Sequence, residues 1–137
     1  MTDGESPFLD PDHGLTVRRV ESVKNMTRAK LDELPFGVIE VDLEGVILAY
    51  NRAEGELAQL SPPGVLGKNF FTEVAPCTNV KEFAGKFREQ RDASAPYVIF
   101  PYQFEFAHGT AHVTVLLHVD HERQRGWIFV QENARHA

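Results

Sequence analysis

Cysteine and tryptophan each occur once in this 137-residue chain, and no apolar run approaches the length of a membrane span. One cysteine cannot close an internal disulfide, which points to a reducing compartment and a cytoplasmic protein. A basic excess is also missing. Lys and Arg number 14 against 20 Asp and Glu, for a net charge of −6, so no nucleic-acid-binding face is expected. Met1-Thr2-Asp3-Gly4-Glu5-Ser6 has neither the basic stretch nor the apolar core of a signal peptide. The chain lacks a phosphate-binding loop, a Gly-rich dinucleotide turn and a catalytic serine motif. His112 and His118 share strand parity but stand about 20 Å apart at strand rise, too far to chelate one metal. No metal site and no enzymatic function are therefore expected. The length is that of one domain with a core of its own.

What is present reads as a helical N-terminal part and a sheet-rich core. Residues 1–13 are acidic and rich in Pro, Asp and Gly, and are read as poorly ordered. Val17, Val20, Val23, Met26, Ala29, Leu31 and Leu34 then fall near helical spacing, with Arg18, Arg19, Lys24, Arg28 and Lys30 on the other positions. One or two amphipathic helices joined near Asn25 are predicted. Phe36–Val41 and Val46–Tyr50 are strand-like around the turn Asp42-Leu43-Glu44-Gly45. Asn51 suits a helix N-cap, with Glu54 at the capping-box position. Lys81–Asp92 reads as a helix with Phe83 and Phe87 on one face. Phe100, Tyr102, Phe104 and Phe106 alternate with Ile99, Pro101, Gln103 and Glu105 in a half-buried strand, where Pro101 argues for an edge or a bulge. Val113, Val115, Leu117 and Val119 mark the next strand, and Gly126–Val130 the last. The fold class is α+β: a five-stranded antiparallel sheet flanked by short helices under an N-terminal helical cap. Residues 1–33 form the acidic tail and cap, 34–133 the core and 134–137 a tail.

Three polar side chains stand out against the apolar core. Cys77 lies in Val74-Ala75-Pro76-Cys77-Thr78-Asn79, where Pro76 biases Ala75 to an extended conformation and marks a loop. Tyr50 and Glu54 stand upstream in Tyr50-Asn51-Arg52-Ala53-Glu54-Gly55. A lone thiol is ordinarily a small buried hydrophobe, Tyr50 an aromatic strand end, and Glu54 a first-turn anion favoured by the helix dipole. A phenol, a carboxyl and a thiol also suit a ligand held covalently on the thiol whose far end is an anion. Tyrosine and a protonated glutamic acid could both donate to that anion.

The blocks Pro35-Phe36-Gly37-Val38-Ile39, Tyr50–Gly55, Gly67–Thr78, Phe83 with Gly85-Lys86-Phe87, and Trp127-Ile128-Phe129-Val130 resemble the photoactive yellow protein family. These are bacterial blue-light receptors with a PAS fold. The likeness covers Pro35 to Asn133 and needs no gap between Tyr50 and Trp127. It implies p-coumaric acid (4-hydroxycinnamic acid) held as a thioester on Cys77, with Tyr50 and a neutral Glu54 as donors to its phenolate. Phe104 matches an aromatic position beside the family's chromophore. Phe70, Phe71, Val74 and Trp127 are core residues that could also wall the pocket, since a site for an aromatic acid is mostly apolar. The resemblance further implies trans-to-cis photoisomerisation, proton transfer from Glu54, and signalling through the N-terminal cap to a downstream protein. It does not identify that partner, and sheet aromatics leave a homodimer open. Four positions depart from the family pattern: Ala58 replaces a threonine, Leu60 an arginine, Phe106 a tyrosine and His108 a methionine. The rival reading is a non-photochemical PAS module for ligand binding or protein interaction.

Overall fold

A computed structural model of the chain describes residues 17–92 and 97–133. The acidic segment 1–13 and the tail 134–137 lie outside the described residues. Five strands form one antiparallel sheet in the order β2-β1-β5-β4-β3: β1 Gly37–Asp42, β2 Ile47–Tyr50, β3 Val98–Phe106, β4 Gly109–Asp120 and β5 Arg125–Glu132. This is the expected sheet. β3 and β2 are its edges, and Pro101 sits on β3, where a missing N–H is tolerated. β3 and β4 pair from Val98–Leu117 down to Phe106–Gly109 through a two-residue turn at Ala107-His108.

The β1–β2 turn shows why those strands begin and end where they do. Asp42 Oδ1 accepts from Glu44 N and Val46 N, both at 2.9 Å, closing the turn locally. Gly45 takes φ +96°, and a Cβ there would stand 2.8 Å from the Phe71 ring. Glycine is thus required twice, by backbone conformation and by the approach of that ring.

Both faces of the sheet are buried. One carries Ile39, Val41, Ile47, Tyr50, Phe104, Val113, Val115, Leu117, Ile128 and Val130 together with Phe70, Phe71, Phe83 and Phe87 from the helical connections. The other carries Val38, Ala49, Leu116, Trp127 and Phe129 beneath Val20, Val23, Leu31 and Leu34 of the N-terminal part. The N-terminal part comprises α1 Val17–Lys24 and α2 Arg28–Leu31, the latter capped by Thr27 Oγ1 accepting from Lys30 N at 3.2 Å. α1 and α2 thus cover apolar sheet surface, while Ala29 is exposed.

Lys24 departs from its sequence-based place on the solvated face. Its side chain is 4% exposed. The ammonium lies 2.8 Å from both Glu21 and Asp120 and 3.1 Å from His118 Nε2. Arg123 adds bonds from Nη1 to Lys24 O at 3.3 Å and from Nη2 to Asn25 Oδ1 at 2.9 Å. The end of α1 is thereby clasped to the β4–β5 turn. Lys24→Met is expected to cost about 2 kcal/mol, less than for a fully enclosed pair because Arg123 still faces Asp120 at 3.6 Å. Amide exchange in α1 should rise while the β3–β4 ladder stays protected. Unchanged exchange in α1 would mean that its apolar face alone holds it.

Candidate functional site

The segment around Cys77 is built from unusual helical turns. Wide π-helical turns at Phe70–Val74 and Lys81–Gly85 flank a tight 3₁₀ turn at Pro76–Thr78. Such π turns are rare overall and frequent at functional sites. Asn69 sets the first of them. Its Oδ1 accepts from Phe71 N at 2.9 Å and Thr72 N at 3.2 Å, and its own N–H donates to Glu73 Oε1 at 2.8 Å. Phe70 and Phe71 are thereby carried into the core. Lys81–Asp92, read as one helix, is instead the π turn Lys81–Gly85 followed by a helix at Lys86–Asp92, with Phe83 and Phe87 still buried together.

Cys77 is a free, half-buried thiol packed against the aromatic core. Thr78, fully buried behind it, donates its hydroxyl to Ala75 O at 2.6 Å. From β3, Tyr102 donates its hydroxyl to Cys77 O at 2.6 Å, tying the turn to the sheet edge. Sequence reasoning placed Tyr102 on the right face but gave it no role. Tyr102→Phe is expected to cost about 1 kcal/mol, the usual net worth of such a bond. Cys77 should then react faster with a disulfide reagent, and an unchanged rate would show that the bond does not hold the turn.

Tyr50 ends β2, and Glu54 lies in the first turn of α3 Arg52–Ala58. Asn51 caps α3, accepting from Glu54 N at 3.2 Å and also from Val38 N at 2.9 Å. Its Nδ2 donates to Leu31 O at 2.8 Å and Phe36 O at 3.0 Å. This buried amide therefore joins the N-terminal helices, β1 and α3, a role beyond capping that local spacing could not reveal. The reciprocal half of the capping box is not made: Asn51 N donates to Val38 O at 3.1 Å. The Glu54 carboxyl turns inward instead. Glu54 is 1% exposed, and its Oε1 has no hydrogen-bond partner among the described residues. Burial pushes its pKa up to about 8, so it is neutral at pH 7. Burial, and then the neighbouring Glu54, raise the Tyr50 phenol well above its ordinary value, so it keeps its proton. Two protonated donors thus sit side by side in an apolar setting.

Gly37 makes room for this carboxyl: a Cβ on Gly37 would collide with Glu54 Oε1. In the sequence this glycine is only one residue of a matching block, and no local signal reveals its contact with Glu54. Phe70 and Phe104 are fully buried in the same cluster as Tyr50, with Cys77 and Val74 packed against it. Trp127 belongs to the opposite face of the sheet, beneath the N-terminal helices, and does not wall this side. The four departing positions are also placed. Ala58 is buried and Leu60 exposed. Phe106 stacks on Phe104 at 5.2 Å, and His108 stacks on Phe106 at 5.1 Å. His108 Nε2 also lies 3.1 Å from Leu57 O.

The PAS fold family model matches residues 25–132. A photoactive yellow protein of Rhodothalassium salexigens is 42% identical over 110 residues, covering 80% of this chain and 88% of the relative. The photoactive yellow protein of Cereibacter sphaeroides is 38% identical over 102 residues, covering 74% and 82%. Among solved structures, the photoactive yellow protein domain of the sensor histidine kinase Ppr from Rhodospirillum centenum matches with a TM-score of 0.76 and 39% identity. That match covers 81% of this chain and 97% of the domain. With its sheet order, its helical connections and relatives at this identity, the chain belongs to the photoactive yellow protein family of PAS-fold proteins.

Proposed function

We propose that this chain is a blue-light photoreceptor carrying p-coumaric acid as a thioester on Cys77. Family membership supports the photoreceptor role. The observation that carries the chemistry is the orphaned, buried Glu54 Oε1 beside a protonated Tyr50. Two donors in an apolar pocket suit an anionic phenolate, and a half-buried thiol on a tight turn suits acylation. The residues therefore fit the group. Cys77 would hold its carbonyl end, Tyr50 and Glu54 its phenolate, and Phe70 and Phe104 its ring. When bound, this group would supply blue absorption and a double bond that light turns from trans to cis.

The chain's own part is the management of one proton. Before illumination Glu54 keeps its proton and donates a hydrogen bond. After illumination Glu54 would pass that proton to the ligand's phenolate oxygen and become a buried carboxylate. An ionised group there, enclosed and lacking a partner, costs several kcal/mol. That cost would shift the chain toward a state in which an outer element lets go. The N-terminal helices are the element proposed, since α1 and α2 lie over the sheet as separate short pieces. The released surface would be read by a downstream signalling protein. Nothing in this cycle is catalytic turnover.

Incubation of the chain with activated p-coumaric acid tests the assignment. A stable visible band and a mass gain of one dehydrated coumaroyl group at Cys77 are expected. A chain that stays colourless and gains no mass would be a non-photochemical PAS module for ligand binding or protein interaction.

A further inference from the structure

A cavity of about 500 Å³ opens between the N-terminus of β1, α3 and the end of β5. Gly37, Ala53, Glu56, Leu57, Gln131 and Glu132 are among its walls. Gly37 belongs to two surroundings at once. It lines the cavity, and its Cα lies so close to Glu54 Oε1 that no side chain fits between them. A single glycine thus separates an enclosed carboxyl from a space, roomy enough for several waters, that reaches the surface. Glu56 and Glu132, both exposed, bring acidic groups to that space. Tyr50 faces Glu54 from β2, and it lines a different cavity of about 350 Å³ with Arg28, Asp32, Arg52, Pro62 and Leu66.

We propose that the cavity behind Gly37 is the proton port of Glu54, with Gly37 as the thin wall across which water reaches the carboxyl. The wall is thin because glycine offers only hydrogens on its Cα, and it sits at the first residue of β1, where the strand begins. Water needs a roomy polar space with several partners, which the carboxylates and the Gln131 amide of this cavity provide. The step balances simply. A hydronium ion in the cavity gives its proton to the Glu54 carboxylate, leaving water and the neutral acid, and the reverse step releases the proton. This deepens the photoreceptor reading and rests on it for the step in which Glu54 loses its proton. The port itself operates in the dark as well, because it is a property of the fold.

Deuterium exchange of the Glu54 carboxyl in the dark, followed by infrared spectroscopy after transfer to D₂O, tests the port without light. The protonated carboxyl band is identified by its loss in Glu54→Gln. Ala53→Phe fills the cavity from α3, and Glu132→Trp covers it from an exposed position whose replacement places no load on the core. Leu66→Phe fills the other cavity, beside Tyr50, as the control. Both cavity variants should slow exchange by about tenfold, because the proton must then wait for local opening of the fold, while the control stays at the parent rate. Parent rates in both cavity variants, or equal slowing by Leu66→Phe, would overturn the port and leave a neutral Glu54 in place. Absence of any protonated carboxyl band in the parent would instead overturn the reading on which the port rests, and the port with it.

Discussion

Glu54→Gln is expected to stabilise the ligand-free chain at neutral pH and to flatten its stability profile. Glu54 has an ordinary value of 4.5 and is raised to about 8 by burial in the fold. Between these values the folded chain holds a proton that the unfolded chain has lost. Stability is therefore greatest below about pH 4.5 as far as this group is concerned, falls by about 1.4 kcal/mol per pH unit toward pH 8, and levels off above it. Glutamine keeps the shape and cannot ionise, so the falling limb should disappear. At about pH 7 the gain should be roughly 3 kcal/mol, reduced by whatever the buried amide lacks in partners. Guanidinium unfolding of both proteins across this range reads the difference directly. Parallel profiles for parent and variant would show that Glu54 is ionised in the fold.

The second large effect is at Cys77. Cys77→Ser should stay colourless under conditions in which the parent chain turns yellow with activated p-coumaric acid, a loss of the whole band rather than a shift. The substitution removes the chain's one thiol and leaves a nucleophile that is weak at its free pKa. Folding should survive, since Cys77 is half-buried and, among the described residues, the hydrogen bonds of the turn run through the Thr78 hydroxyl, the Tyr102 hydroxyl and backbone groups rather than its sulfur. A yellow Cys77→Ser product with the covalent mass gain would place the attachment elsewhere.

Much of the sheet was legible because period-two alternation is a property of single strands. Spacing alone puts Phe100 and Phe104 on one face of their strand and Val113, Val115 and Leu117 on one face of theirs, and all five share one core. Alternation does not say what covers the other face. That Val20, Val23 and Leu31 lie over Leu116, Trp127 and Phe129 is a long-range fact, so Trp127 is core as its sequence suggests but on the face away from the site. Lys24 misled for a related reason. Charge normally marks the solvated face of a helix, but Glu21 of its own helix and Asp120 and His118 of β4 surround this ammonium and allow it to be buried. In the site, Asn51 was legible as a cap because capping is local. The inward turn of Glu54 was not, because it depends on Gly37, seventeen residues earlier and on another element. Tyr102 and Cys77 likewise meet only through the edge strand.

The most direct test of the account is a light-minus-dark infrared difference spectrum of the chain loaded with p-coumaric acid, recorded after a blue flash. The account requires loss of a protonated carboxyl band, gain of a carboxylate band, and the absence of both in Glu54→Gln. A full photocycle with no protonated carboxyl signal, or with one that persists in Glu54→Gln, would contradict it.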